Sequence, residues 1–178
     1  MGRKITPLGA LGRGLLAGAA GTAAMDALMY RRYRRDGGAQ PLLSWETSAG
    51  LDEWEGAPAP AQVGKRLIEG LFQTEVDPRW ARLTSNVMHW GTGLAWGAQY
   101  GLAAGSASAG VRRRWGPVLG ASVFANSYVV LPLAGLYKPI WEYDAPTLAK
   151  DLSAHLVYGV VTAEAFRLVD RRGCVSRG

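Results

Sequence analysis

Four glycines recur at every fourth residue of one apolar segment, and this spacing constrains the fold more than any other feature of the sequence. They are Gly93, Gly97, Gly101 and Gly105, and His89 lies one helical turn before the first of them. Residues at i and i+4 lie on the same face of an α-helix. A glycine inside a water-soluble helix costs about 1 kcal/mol relative to alanine, whereas in a membrane small residues let two helix backbones pack closely. The row therefore predicts a close transmembrane helix–helix interface.

The apolar residues of the 178-residue chain cluster in four segments, each about 20 residues long, which is the length of helix that crosses a bilayer. The four predicted spans are residues 8–30, 83–105, 115–137 and 147–169. Many of the 24 glycines fall inside them, where a soluble bundle would favour leucine or alanine. The sequence therefore predicts an all-α fold, an integral membrane bundle of four transmembrane helices that forms one domain over residues 1–178. A soluble helical bundle is the alternative, because the first and fourth segments contain charged residues.

The first loop contains a short amphipathic helix, predicted at residues 60–72. Its apolar side chains recur with helical spacing on one face, and its charged side chains lie on the other. The apolar face consists of Val63, Leu67, Ile68, Leu71 and Phe72. Such a helix lies on the membrane surface or packs against the bundle. The APAPAQ stretch at the start of this region predicts a turn or a short extended piece.

One proline, Pro132, falls inside the third predicted span. Proline lacks a backbone N–H, and its ring clashes with the preceding helical turn, so it interrupts the hydrogen-bond ladder of a helix. The sequence therefore predicts a kink at Pro132 in the third helix.

The chain carries a formal net charge of +6, and much of its basic charge lies in short clusters beside the apolar segments. These clusters are RRYRR after the first segment, RRR before the third and DRR after the fourth. Arginine is placed in this way at membrane borders, so the predicted partner is the lipid bilayer, and no nucleic-acid binding is expected. The short-loop charges favour a multi-pass protein of a bacterial plasma membrane with both termini in the cytoplasm, although RRYRR lies on the opposite face.

Three of the predicted spans carry an ionisable residue on a row of small residues with four-residue spacing. The rows are Gly14, Gly18 and Asp26 in the first span, His89 with the glycine row in the second, and His155 with Gly159 in the fourth. Small-residue rows face other helices rather than lipid, and the alternating span directions bring the three ionisable residues to a similar depth. Together with Asn126 of the third span, they are predicted to form a polar cluster in the non-cytoplasmic half of the membrane.

Three interpretations of this polar cluster stay open. The first is structural, with interhelical hydrogen bonds worth about 0.6 kcal/mol each. The second is a proton-sensitive site, because histidine titrates near neutrality and a nearby carboxylate raises its pKa. The third is a metal site formed by Asp26, His89 and His155. These ligands lack a short chelating spacing, so neither a metal nor a cofactor is expected.

The sequence contains no pattern that indicates an enzyme: it has no nucleophile elbow, no phosphate-binding loop and no HExxH zinc motif. We therefore expect a non-enzymatic structural or stress-related component that acts through packing and is able to form a homo-oligomer. A small proton-coupled transporter or conduit that uses Asp26, His89 and His155 is the second interpretation. A soluble helical binding protein is the third.

The second half of the sequence resembles a known family of membrane proteins. The resemblance lies in NVMHWGTGLAWGAQYGL, which begins a glycine-rich span, in GPVLGASVFANSYVVLPLAGLYKPIWEYDAP, and in LSAHLVYGVVTAEAFRLVDRR. The order of these stretches, over roughly residues 86–172, is similar to that of the YagU-like family of small bacterial inner-membrane proteins. The resemblance implies a multi-span inner-membrane protein with a link to acid tolerance, and it implies no catalytic residues.

Overall fold

The computed structural model describes residues 5–107 and 109–175, with the side chains of all of these except 109–113 and 171–175. Within these residues the regular structure is entirely helical, as the sequence predicts. The α-helices are α1 (Pro7–Arg35), α2 (Leu42–Glu46), α3 (Ala59–Phe72), α4 (Ala81–Gly105), α5 (Ala109–Ala125), α6 (Leu131–Leu133) and α7 (Ala145–Val175). Four of the flanking arginines have side chains outside the described part, namely Arg112, Arg113, Arg171 and Arg172.

Two helical stretches of the described residues are long and apolar enough to cross a membrane, Arg114–Leu133 and Ala145–Asp170. They correspond to the third and fourth predicted spans. The first and second predicted spans are helical, in α1 and α4, but neither is among the stretches that are long and apolar enough to cross a membrane. The prediction that the third span continues to residue 137 is wrong, because its helix ends at Leu133 and Gly135 turns the chain with φ at +69°, a region that favours glycine.

The helix irregularity predicted at Pro132 takes the form of a π-helical segment at Asn126–Val130. The N–H of Leu131 bonds to the carbonyl of Asn126, five residues back, and Pro132 follows in the first turn of α6. A π segment widens one helical turn, and it is one of the recognised causes of helix bending. The chain therefore rearranges its hydrogen bonds just before the residue that lacks a donor.

The predicted amphipathic helix of the first loop is α3, which begins one residue earlier than predicted. Pro58 is its extended N-cap, and Pro60 lies in the first turn. A proline in the first turn costs little, because its missing N–H would have no partner inside the helix. The expectation of a turn or extended piece through APAPAQ is therefore wrong from Ala59 onward.

The described residues form two compact units. Unit 1 consists of the described residues of Met1–Ala27, Gly93–Phe124 and Ala145–Gly178, and unit 2 consists of Leu28–Thr92 and Ala125–Asp144. The core of unit 1 includes Tyr100, Tyr158 and Phe166 among smaller residues of α1, α4, α5 and α7. The rings of Tyr100 and Phe166 meet edge to face, with centroids 5.7 Å apart.

In unit 2, α3 packs against the start of α4. Gly64 lies so close to α4 that an added Cβ atom would be 2.7 Å from Met88 Cγ. On the other side of α3, Arg66 Nη1 donates to the carbonyl of Gly135 at 3.1 Å. The end of α3 is uncovered, because Leu71 and Phe72 are 75% and 71% exposed.

Candidate functional site

In unit 1, α1 and α4 meet with glycine backbone against glycine backbone. A Cβ atom added at Gly18 would lie 2.5 Å from Gly93 O and 2.9 Å from Gly97 Cα. One added at Gly14 would lie 2.5 Å from Gly97 O. Real Cβ atoms essentially never come closer than 3.0 Å to another heavy atom, so glycine alone fits here without a backbone shift. The last two glycines of the α4 row, Gly101 and Gly105, both lie against Ala10 of α1.

A second glycine interface joins α5 to α7, and sequence reasoning identified only one of its members, Gly159. A Cβ atom added at Gly116 would lie 3.1 Å from Gly159 O, and one added at Gly120 would lie 2.8 Å from Leu156 Cα. The signal is present in the sequence, because GPVLG places Gly116 and Gly120 four residues apart. The α1–α4 and α5–α7 interfaces therefore use small residues at helical spacing.

Polar groups also tie α7 to its neighbours in unit 1. The hydroxyl of Tyr158 donates to the carbonyl of Gly93 on α4 at 2.6 Å. Arg13 of α1 forms an ion pair with Asp170 of α7, with Nη1 and Oδ1 2.7 Å apart. Polar contacts thus join α7 to α4 and to α1, in addition to the glycine contacts that join α1 to α4 and α5 to α7.

The small-residue row of α1 continues from glycine to two polar residues, Thr22 and Asp26. Both are buried, with exposed fractions of 1% and 4%. Thr22 Oγ1 donates to the carbonyl of Gly18 at 3.0 Å, and the Thr22 side chain faces Gly93. Burial of the Asp26 carboxyl group costs free energy that its partner groups must offset.

His155 belongs to the α5–α7 interface of unit 1. Its Nδ1 lies 2.8 Å from the carbonyl of Asp151, one turn earlier on α7. Its ring meets that of Phe124 edge to face, with centroids 5.9 Å apart. These contacts hold the half-buried imidazole against α5.

In unit 2, His89 lies beside Glu46, a residue of the first loop to which the sequence assigned no role. The carboxylate of Glu46 and the ring of His89 each offer a ligand atom, and these atoms lie within 4.8 Å of one another. Trp90 Nε1 donates to Glu46 Oε1 at 3.1 Å. Glu46 and Trp90 are 44 residues apart, and no local pattern in the sequence links them. Only the fold of the first loop shows this cluster.

An aromatic cluster holds α2 against the last turns of α1 in unit 2. The ring centroids of Tyr30 and Trp45 are 5.4 Å apart, and those of Tyr33 and Trp45 are 6.0 Å apart. Trp45 directly precedes Glu46, so the cluster fixes the backbone from which the carboxylate extends.

The four residues of the predicted polar cluster divide between the two units. Asp26 and His155 belong to unit 1, whereas His89 and Asn126 belong to unit 2. Asn126 begins the π-helical segment, where its carbonyl accepts a hydrogen bond from Leu131. That the four side chains meet stays a prediction, and Glu46 is the neighbour of His89 that sequence reasoning missed.

A polar cleft of about 540 Å³ opens beside α3 in unit 2, and Trp54, Lys65, Glu69 and Val76 are among its lining residues. The Val76 N–H donates to Glu69 Oε1 at 3.1 Å, and Lys65 Nζ lies 3.3 Å from the same oxygen. The Val76 hydrogen bond, assisted by Lys65, outweighs partial desolvation and lowers the pKa of Glu69 below its ordinary value of 4.5. These groups fasten the segment that follows α3.

The chain matches no family model, no curated protein and no solved structure. The resemblance to the YagU-like family therefore stays a prediction.

Proposed function

We propose that the chain is a four-span helical protein of a bacterial plasma membrane. The spans are α1, α4, the continuous stretch from α5 to α6, and α7, while α3 lies at the membrane surface. Its role is non-enzymatic: it is a structural component, linked to stress such as acid exposure, that acts through helix packing in lipid and forms homo-oligomers. Both termini lie in the cytoplasm.

The distribution of side chains carries this proposal. Where the helices of unit 1 meet, they present glycine, alanine and a few polar groups, whereas large aliphatic side chains lie outside. One example from each proposed span, with its exposed fraction, is Leu16 (63%), Leu102 (44%), Val118 (59%) and Val160 (43%). In water each exposed apolar Å² costs about 25 cal/mol, whereas lipid chains cover such a surface without that cost. Membrane helices associate through small residues in the manner seen here.

The two most apolar helical stretches support a membrane location further. Only 28% of the apolar part of Arg114–Leu133 and 33% of that of Ala145–Asp170 is buried inside the protein. The central helix of a soluble protein would be mostly buried. α1 and α4 are not among these two stretches, and their interface rows contain glycine and polar residues such as Thr22. Those positions face a neighbouring helix, so they do not have to be apolar to reside in a membrane.

The non-enzymatic role is supported by the structural contacts that polar side chains make in both units. In unit 1 the Tyr158 hydroxyl and the Arg13–Asp170 ion pair join helices. In unit 2 the groups around Glu69 fasten a loop. The resemblance to the YagU-like family adds the link to acid tolerance.

Membrane fractionation tests the proposal. Bacteria that express the full chain are lysed, and the membranes are washed with alkaline carbonate, which removes peripheral proteins. We expect the protein to stay in the pellet and to dissolve only in detergent. Recovery of a monodisperse protein from the supernatant without detergent would contradict the proposal and favour the soluble helical binding protein.

The burial of Asp26 favours a second candidate function, a proton-coupled conduit that uses the predicted cluster of Asp26, His89 and His155. Ionisable residues inside membrane spans are expensive and usually mark ion or proton pathways. Purified protein in liposomes that contain a pH-sensitive dye should then carry protons, and Asp26→Asn should abolish that flux. Equal flux in protein-containing and empty liposomes would exclude this function and leave the structural role.

A further inference from the structure

The pair of Glu46 and His89 in unit 2 has the chemistry and the spacing of a divalent metal site. Their ligand atoms lie within 4.8 Å of one another. Two ligands of a tetrahedral zinc ion are about 3.3 Å apart when both bonds are about 2.0 Å long. Both side chains are only half-buried, so rotation about their own bonds is able to close the remaining distance of about 1.5 Å or less.

A neighbouring donor orients one of the two ligands. Trp90 Nε1 donates to Glu46 Oε1 at 3.1 Å, and the Trp90 ring meets that of His89 edge to face at 6.3 Å. Ligating carboxylates in metal sites are typically held by such outer hydrogen bonds, whose loss weakens metal binding by about 10–100-fold. Trp90 therefore lies just outside the proposed metal ligands and contacts both of them.

The backbone segments that carry the two ligands are tied together directly. The carbonyl of Thr47, the residue after Glu46, accepts hydrogen bonds from Arg82 Nε at 2.9 Å and from Asn86 Nδ2 at 3.0 Å. Arg82 and Asn86 belong to the first turns of α4, just before His89. The two ligands are thus preorganised by contacts that do not involve their own side chains, which is what a binding site requires.

We propose that Glu46 and His89 are ligands of a divalent transition-metal ion, with zinc as the natural occupant and water among the remaining ligands. An imidazole combined with a carboxylate suits zinc and its neighbours in the first transition row, whereas calcium and magnesium prefer oxygen ligands alone. The proposal is independent of the packing role proposed above, because the ligands and their supports all belong to unit 2.

Metal titration of the purified full chain in detergent, after removal of bound metal with a chelator, tests this site. We expect one equivalent of Co²⁺ to bind with the visible absorption of a four- or five-coordinate ion, and Zn²⁺ to displace it. Glu46→Gln and His89→Gln should each weaken Zn²⁺ binding at least 10-fold, because each removes a ligand. Trp90→Phe should weaken it by about 10-fold, because it removes the orienting donor and leaves both ligands.

Matched controls repeat the same chemical changes elsewhere in the chain. Glu53→Gln alters an exposed carboxylate of the same loop, and His155→Gln alters the other histidine, which belongs to unit 1. Both variants should bind Zn²⁺ like the unaltered protein. Unaltered affinity in His89→Gln would overturn the proposal, and so would the lack of saturable binding below millimolar Zn²⁺, the result expected for a simple Glu46–His89 ion pair.

A measurement on the unaltered protein keeps the test valid if a variant fails to fold. Diethyl pyrocarbonate modifies accessible histidines, and the chain has two, His89 and His155. Bound Zn²⁺ should protect His89 from modification and leave the rate at His155 unchanged. Equal rates at His89 with and without Zn²⁺ would contradict the proposal.

Discussion

Replacing Gly97 with alanine should force α1 and α4 apart in unit 1. The new methyl group would lie 2.5 Å from Gly14 O and also against the backbone of Gly18, whereas non-bonded heavy atoms in favourable contact are about 3.5 Å apart. The opposing atoms all belong to a helix backbone, so no side chain is able to rotate away. The helices must therefore separate by about 1 Å, and overpacking of this kind costs about 1–3 kcal/mol.

The same helix provides a matched control at Gly91. A Cβ atom added there would meet nothing within 4 Å. Alanine has a helix propensity about 1 kcal/mol better than that of glycine at either position, so this gain cancels when the two variants are compared. We expect Gly97→Ala to have a free energy of unfolding about 1–3 kcal/mol below that of Gly91→Ala.

Reversible unfolding in mixed detergent micelles, followed by circular dichroism, measures this difference. The helix content of both variants before unfolding should equal that of the unaltered protein, which shows that the comparison concerns packing. If Gly97→Ala is as stable as Gly91→Ala, then the two backbones are not in close contact and the reasoning about the glycine row is refuted.

Three further predictions concern other parts of the molecule. Gly120→Leu should destabilise the protein because its side chain would enter the backbone of α7 at Leu156, and an unchanged melting temperature would contradict the α5–α7 contact. Above pH 4.5, Glu69→Gln should have a lower free energy of unfolding than the unaltered chain. Because the folded pKa of Glu69 lies below 4.5, this difference in stability should fade as the pH falls through the folded pKa. A difference in stability that grows on acidification would refute the assignment. If Asp26 and His89 belong to one polar network, Asp26→Asn and His89→Ala should have non-additive effects on the free energy of unfolding, whereas strictly additive losses would show that the two residues act independently.

Local sequence patterns predicted much of the helical structure. The helical spacing of apolar residues gave α3 to within one residue at its start, because that spacing acts within a single segment. The end of the third span was wrong for an equally local reason: Gly135 turns the chain while the surrounding residues remain apolar. The π-helical form of the break before Pro132 did not follow from the sequence, because proline shows where a helix is disturbed and not how its hydrogen bonds rearrange.

The candidate site was less accessible to sequence reasoning, because it depends on which segments meet. A row such as Gly93 to Gly105 reveals that a helix has a small face, but the partner of that face, Gly14 and Gly18, follows only from the fold. Glu46 is the clearest case. It lies in a loop far from His89 in the sequence, and its relation to His89 arises from the packing of α2 on the start of α4 in unit 2.

Site-directed spin labelling tests the membrane location of the four helices most directly. After Cys174→Ser, single cysteines are introduced at the outward aliphatic positions of unit 1, one for each proposed span, and the labelled protein is reconstituted in bilayers. These positions are Leu16, Leu102, Val118 and Val160. Because oxygen concentrates in lipid and a polar nickel chelate stays in water, all four labels should show high oxygen accessibility and low nickel accessibility. High nickel accessibility at these positions would show that the aliphatic surface faces water, and it would contradict the four-span account.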